Sequence, residues 1–164
     1  ADVQTPWGML RVGSTHISGN TCQAEAVASV IQQQQNSLPL LLLGDFNAHE
    51  HTPAITHLTQ KLGLIDTFRL MNPTTPGLTV WQRVEATAPT VFRRVDYVFF
   101  LPGKAFPGSV RSSRVILNTP HHLSDGRTLW PSDHFGVLSE VEAFPDANST
   151  QPQPGGRGQN PMLR

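Results

Sequence analysis

The chain predicts a layered α/β domain with a sheet at its centre, and three observations carry that prediction. Residues 38–43 form a continuous apolar run of strand length, the pattern of a strand covered on both faces. Residues 20–36 switch to a helical period, with Ala26, Val27, Val30 and Ile31 as one apolar stripe. The remaining order is strand, helix, strand, helix and then mainly strands, without an internal repeat.

Residues 9–16 read as the first strand, with Leu10 and Val12 on one face and His16 near its end. Asn20 caps the helix that follows, with Gln23 three residues on. The glutamine run 32–35 at its far end is a solvated face. Thr52 followed by Pro53 predicts a second helix running to Leu62 and stopped by Gly63, the hydroxyl serving as cap. Residues 72–77 are loop; 78–82, 91–101 and 110–117 read as strands; 118–131 form a loop; and 135–144 alternate as a last strand. After Pro145 the composition turns to Pro, Gly, Gln and Asn, so 1–145 is expected as the domain and 146–164 as a disordered tail.

Composition narrows the function. With 12 basic and 12 acidic residues there is no global field drawing the chain to nucleic acid or an anionic membrane. The single cysteine, Cys22, excludes an internal disulfide and a cysteine-rich zinc site. No apolar run has the roughly 20 residues of a membrane helix, and residues 1–8 lack the features of a signal peptide, so the expectation is a soluble protein, monomeric by default.

Three short segments carry chemistry: GDFN at 44–47, RRVDY at 93–97 and SDH at 132–134. Asp96 sits in an otherwise apolar run, where a carboxylate is costly unless hydrogen-bonded or paired. His134 is its natural partner, since a carboxylate fixes the imidazole tautomer and raises its basicity. Such a pair moves a proton or stabilises developing negative charge. Asp45 and Asn47 follow the buried leucines, at the strand end where ligands bind in open α/β sheets. There the carboxylate can orient or deprotonate a water while the amide donates to a substrate oxygen. His16 arrives at another strand end. Oxygen ligands such as Asp133 and Asp45 favour Mg²⁺ or Mn²⁺ over zinc.

These motifs, in this order and preceded by STH at 14–16, resemble the endonuclease/exonuclease/phosphatase superfamily over residues 9–144. The resemblance implies part of a four-layer α/β sandwich, two packed and mainly antiparallel sheets flanked by helices. It implies Mg²⁺-dependent hydrolysis of a phosphate ester by in-line attack of water. By the same resemblance Asp45 orients the water, Asn47 and His16 contact the phosphate, Asp96 pairs with His134, and Asp133 and Asp45 are metal-associated. The segment 129–136 resembles the phosphodiesterase branches, including the tyrosyl-DNA phosphodiesterase type, so nucleic acid is a candidate substrate beside sphingomyelin and sugar or inositol phosphates. Complete members carry upstream an asparagine and a metal-binding glutamate, and residues 1–8 hold neither. The chain is therefore expected to be a carboxyl-terminal portion of impaired activity, and the competing reading is a catalytically silent module that binds phosphate compounds or partners.

Other residues have plainer readings. The run His49, Glu50, His51 is a solvated loop before Thr52. Asp96 could instead pair with Arg93 or Arg94; Arg111 and Arg114 read as a solvated face; Trp81 and Trp130 as packing residues; and His121 and His122 as a surface loop bordering the site.

Overall fold

A computed structural model describes residues 1–6, 8–34, 38–104 and 108–143. The predicted tail lies outside the described residues. Five strands form the main sheet: β1 (Asp2–Thr5), β2 (Gly8–His16), β3 (Leu40–Asp45), β4 (Ile65–Asp66) and β5 (Asp96–Leu101), in the order β1-β2-β3-β5-β4. The β2–β3 pair is parallel and the other neighbours are antiparallel. A second sheet pairs β6 (Ser109–Ile116) with β9 (Gly136–Glu142), and a small hairpin pairs β7 (His121–His122) with β8 (Thr128–Leu129).

Helices cover one face of the main sheet. They are α1 (Thr21–Gln33) and α2 (Pro53–Thr56), the latter continuing as a π-helical turn, His57–Lys61. Leu40, Leu42, Tyr97 and Phe99 meet Ala24, Ala28, Ala54, Ile55 and Leu58 in one buried cluster. The alternate residues of β5, Val98 and Phe100, are buried from the other face. There the second sheet packs, tied by Thr67 Oγ1 to Ser139 Oγ at 2.8 Å and to the Val98 carbonyl at 2.7 Å. Thr67 opens α3 (Thr67–Met71). The layers are thus helix, sheet and sheet, an α/β sandwich. Among the described residues no helix is long and apolar enough to cross a membrane.

Several sequence expectations change in the structure. Asn20 caps α1 by accepting from Gln23 N–H at 2.9 Å, as predicted. The buried face of α1 is Ala24 and Ala28 with Val27 and Ile31 beside them, whereas Ala26 and Val30 are exposed. Small alanines let the helix lie close to the sheet, so the contact line follows them and not the bulkier valine. Thr52 does not cap α2: its hydroxyl donates to the His49 carbonyl at 2.8 Å. Of the strands expected at 78–82 and 91–101, the first reduces to isolated bridges from Val80 to Arg93 and His134 and the second begins only at Asp96, because the Val80 carbonyl accepts from both Phe92 and Arg93 N–H and the ladder goes no further. Trp81 consequently turns outward, 57 % exposed and edge-on to Phe92, while Trp130 is buried, stacked on Phe135 and donating to the Ala86 carbonyl.

Candidate active site

Three strand ends place the site. The register pairs His16 of β2 with Asp45 of β3, and Asp45 with Asp96 of β5, so a histidine and two aspartates stand in one row across the sheet. The row requires β2 and β3 to touch through their backbones. At Gly44, with φ 148°, an added Cβ would lie 1.8 Å from the Thr15 carbonyl oxygen, so no other residue fits.

The chain then folds back on Asp45. Asn47 adopts φ 48°, a left-handed conformation that asparagine tolerates. Its N–H donates to Asp45 Oδ1 at 2.7 Å, and its side-chain amide reaches the Ile17 carbonyl at 2.9 Å, His16 Nε2 at 3.0 Å and Asp45 Oδ2 at 3.2 Å. His16 Nε2 lies 3.4 Å from Asp45 Oδ2, and its side chain is 74 % exposed. Asp45, Asn47 and His16 therefore form one connected group open to solvent.

His134 arrives from the other side of Asp96. It is bridged to Val80, its N–H donates to Ser132 Oγ at 3.1 Å, and its Nδ1 meets Asp96 Oδ2 at 3.0 Å and Oδ1 at 3.2 Å. The alternative partners for Asp96 are engaged elsewhere in the case of Arg94, which binds Glu50 and Asp66. Burial pushes the Asp96 carboxyl above its ordinary range against the pull of Thr79 and His134, and the nearby Asp45 carboxylate adds to the rise. With Nδ1 committed to Asp96, Nε2 of His134 is left for a substrate or a proton.

Asp45, Asp96 and His134 each offer a ligand atom within 4.8 Å of the others. Two carboxylates and an imidazole suit a hard or borderline divalent ion such as Mg²⁺ or Mn²⁺. Asp133, expected near the metal, is exposed and outside this trio: Ser132 Oγ donates to its carboxylate at 3.3 Å and Gln82 N–H to its carbonyl at 2.7 Å. His121 and His122 are exposed on the hairpin, and Arg111 pairs with Glu142. Thr79 was not singled out by sequence, yet its Oγ1 accepts from the N–H groups of Val95 and Asp96 at 3.2 and 3.3 Å. Glu50, read from the sequence as part of a solvated loop, is instead half-buried between Arg69 and Arg94. Its partners lie 19 and 44 residues away, beyond the reach of local pattern.

An α/β sandwich with carboxylates and histidines gathered at the ends of its central strands is the class this chain represents. More particularly, the chain belongs to the endonuclease/exonuclease/phosphatase family, whose family model matches residues 16–134. No curated protein matches it. Solved structures similar in fold include a family protein from Bacteroides thetaiotaomicron, 21 % identical, with a TM-score of 0.62 over 78 % of this chain and 47 % of that one. The mannosyl-6-phosphatase Bt3783 of Bacteroides thetaiotaomicron VPI-5482 is 21 % identical, with a TM-score of 0.60 over 81 % of this chain and 50 % of its own. D. rerio TDP2 complexed with a single-strand DNA product is 19 % identical, with a TM-score of 0.62 over 86 % of this chain and 59 % of its own. The chain thus spans about half the length of these structures.

Proposed function

We propose that the protein carrying this chain is a divalent-metal-dependent phosphoesterase, foremost a phosphodiesterase. The observation that supports this reading most is the Asp96–His134 pair, 3.0 Å across, standing beside Asp45 in matched register. Asp45 accepts the proton of, or orients, the attacking water. Asn47 holds Asp45 in place through its N–H and turns its amide, with His16, toward phosphate oxygens. Asp96 fixes the His134 tautomer so that Nε2 can donate to or stabilise the departing oxygen. Asp45 and Asp96, two of the three residues whose ligand atoms come within 4.8 Å of one another, would hold a Mg²⁺ or Mn²⁺ ion, which when bound supplies charge stabilisation at phosphate. Family membership supports the reaction class.

Two substrates come first for testing. TDP2 is solved with a single-strand DNA product and Bt3783 is a mannosyl-6-phosphatase, so DNA phosphodiesters and sugar phosphate monoesters are the natural pair. The experiment is hydrolysis of bis(p-nitrophenyl) phosphate, a 5′-tyrosyl oligonucleotide and mannose 6-phosphate with Mg²⁺ or Mn²⁺. Turnover that vanishes in EDTA and in His134→Ala is the expected result. Turnover surviving either treatment would refute the mechanism, and metal binding without any turnover would favour the silent binding module.

A further inference from the structure

The two carboxylate-bearing strands both run into irregular chain. Beyond Asp45 there is no helix or strand until Pro53, and ahead of Asp96 the chain from residue 81 has only the bridge at Arg93. The β3–β5 register fixes Asp45 against Asp96, but no ladder holds the irregular segments that lead away from them, and the site needs those segments placed to fractions of an ångström.

They meet at one side chain. Arg94, two residues ahead of Asp96, is 1 % exposed, and its Nη2 reaches Glu50 Oε2 at 2.5 Å and Asp66 Oδ2 at 2.6 Å. Its Nη1 donates to Asp66 Oδ1 at 3.1 Å, making a two-pronged contact. Glu50, five residues after Asp45, is gripped a second time by Arg69 at 2.9 and 3.0 Å. The guanidinium of Arg94 lies 4.4 Å from the centre of the Tyr97 ring, and the Tyr97 hydroxyl donates to the Ala48 carbonyl at 2.9 Å. A final cross-link runs from Phe46 N–H to the Val95 carbonyl at 2.9 Å. A planar guanidinium with two carboxylates and an aromatic face has one allowed pose, unlike a flexible ammonium. A buried charge of this kind also cannot leave its partners without a large desolvation cost.

We infer that Arg94 is a positioning residue: by gripping Glu50 it locks residues 46–48 against Val95 and so sets the spacing of Asn47 from the Asp45–Asp96 pair that the β3–β5 register holds together. It touches neither substrate nor metal. The inference rests on the phosphoesterase reading only for what that spacing serves. Outer contacts of this sort typically change metal affinity about 10–100-fold when removed.

The test compares Arg94→Lys and Glu50→Gln with Phe100→Leu, which thins the core on the opposite face of β5. Amide hydrogen exchange is followed at Phe46 and Asn47 relative to the amides of β3 and β5, and Mn²⁺ is titrated by broadening of the Asn47 and His134 resonances. In the first two variants, exchange at Phe46 and Asn47 is expected to quicken at least about tenfold more than in the strands. Mn²⁺ affinity is expected to fall by about tenfold or more in the same two, with neither change in Phe100→Leu. Should Arg94→Lys not fold, the isosteric Glu50→Gln carries the comparison. Uniform quickening at every amide, or unaltered Mn²⁺ affinity in Glu50→Gln, would overturn the inference. A wild-type chain that shows the exchange contrast in its variants yet binds no Mn²⁺ sinks the phosphoesterase reading and leaves the clamp standing.

Discussion

Two pairs of carboxylates sit close together in this protein and are treated in opposite ways. Glu50 and Asp66 face Arg69 and Arg94, two charges against two, and all four carboxylate oxygens accept hydrogen bonds, with Arg94 Nε left without a partner. Asp45 and Asp96 have imidazoles, amides and the Thr79 hydroxyl around them and no guanidinium bonded to either. The electrostatic result differs in sign. Burial raises Glu50, but the bonds from Arg69 and Arg94 win and hold it below its ordinary value of 4.5. Burial raises Asp96 above its ordinary 3.8, and its partners fail to bring it back. A neutralised quartet is architecture; a cluster left short of positive charge is prepared for something that brings it.

The largest effect belongs to the under-compensated pair: His134→Ala should lower phosphoester turnover by roughly 10²–10⁴-fold, read as kcat in a steady-state assay. Arg94→Met tests the other pair, since it leaves Asp66 without its guanidinium and Glu50 with Arg69 alone. Denaturant unfolding should show a loss of about 3–5 kcal/mol. Asp96→Asn should do the reverse of Arg94→Met at neutral pH, leaving stability equal or higher while abolishing turnover, because it removes a buried charge that the fold does not favour. A stability loss in Asp96→Asn as large as in Arg94→Met would erase the distinction.

The pH dependence gives a finer version. Glu50, lowered in the folded state, contributes stability above its ordinary value of 4.5 and loses it as pH falls through the folded value. Asp96, raised, favours the folded state below 3.8 and that contribution is lost as pH rises through the folded value. Urea unfolding from neutral to acid should therefore show Glu50→Gln below wild type and Asp96→Asn at or above it, with both gaps closing in acid. The smallest effect is expected at Arg111→Ala, an exposed pair with Glu142, at about 0–1 kcal/mol by the same unfolding measurement.

What the sequence discloses follows from distance along the chain. Asp45, Asn47, Asp96 and His134 were legible because each stands beside an apolar strand signal, and the sheet register then brings His16, Asp45 and Asp96 into one row. The π-helical turn, the short strand β4 and the five-residue α3 left no periodic mark. Trp81 was misread as packing because a strand was expected where the chain makes only two isolated bridges, both at Val80. Glu50 looked like one member of a histidine-flanked loop, and only folding shows that its charge is directed inward at Arg94.

The backbone contact at Gly44 has a consequence for how this region can change over evolutionary time. The Thr15 carbonyl occupies the volume a side chain would need, so any replacement wedges β2 from β3 and carries His16 away from Asp45 in the same movement. In a saturation library scored for folding and turnover together, position 44 should tolerate no substitution, whereas His16, exposed at its rim, should separate the two scores. One hydrogen atom in place of a methyl group therefore acts as the spacer between two strands, and the site inherits its width from it.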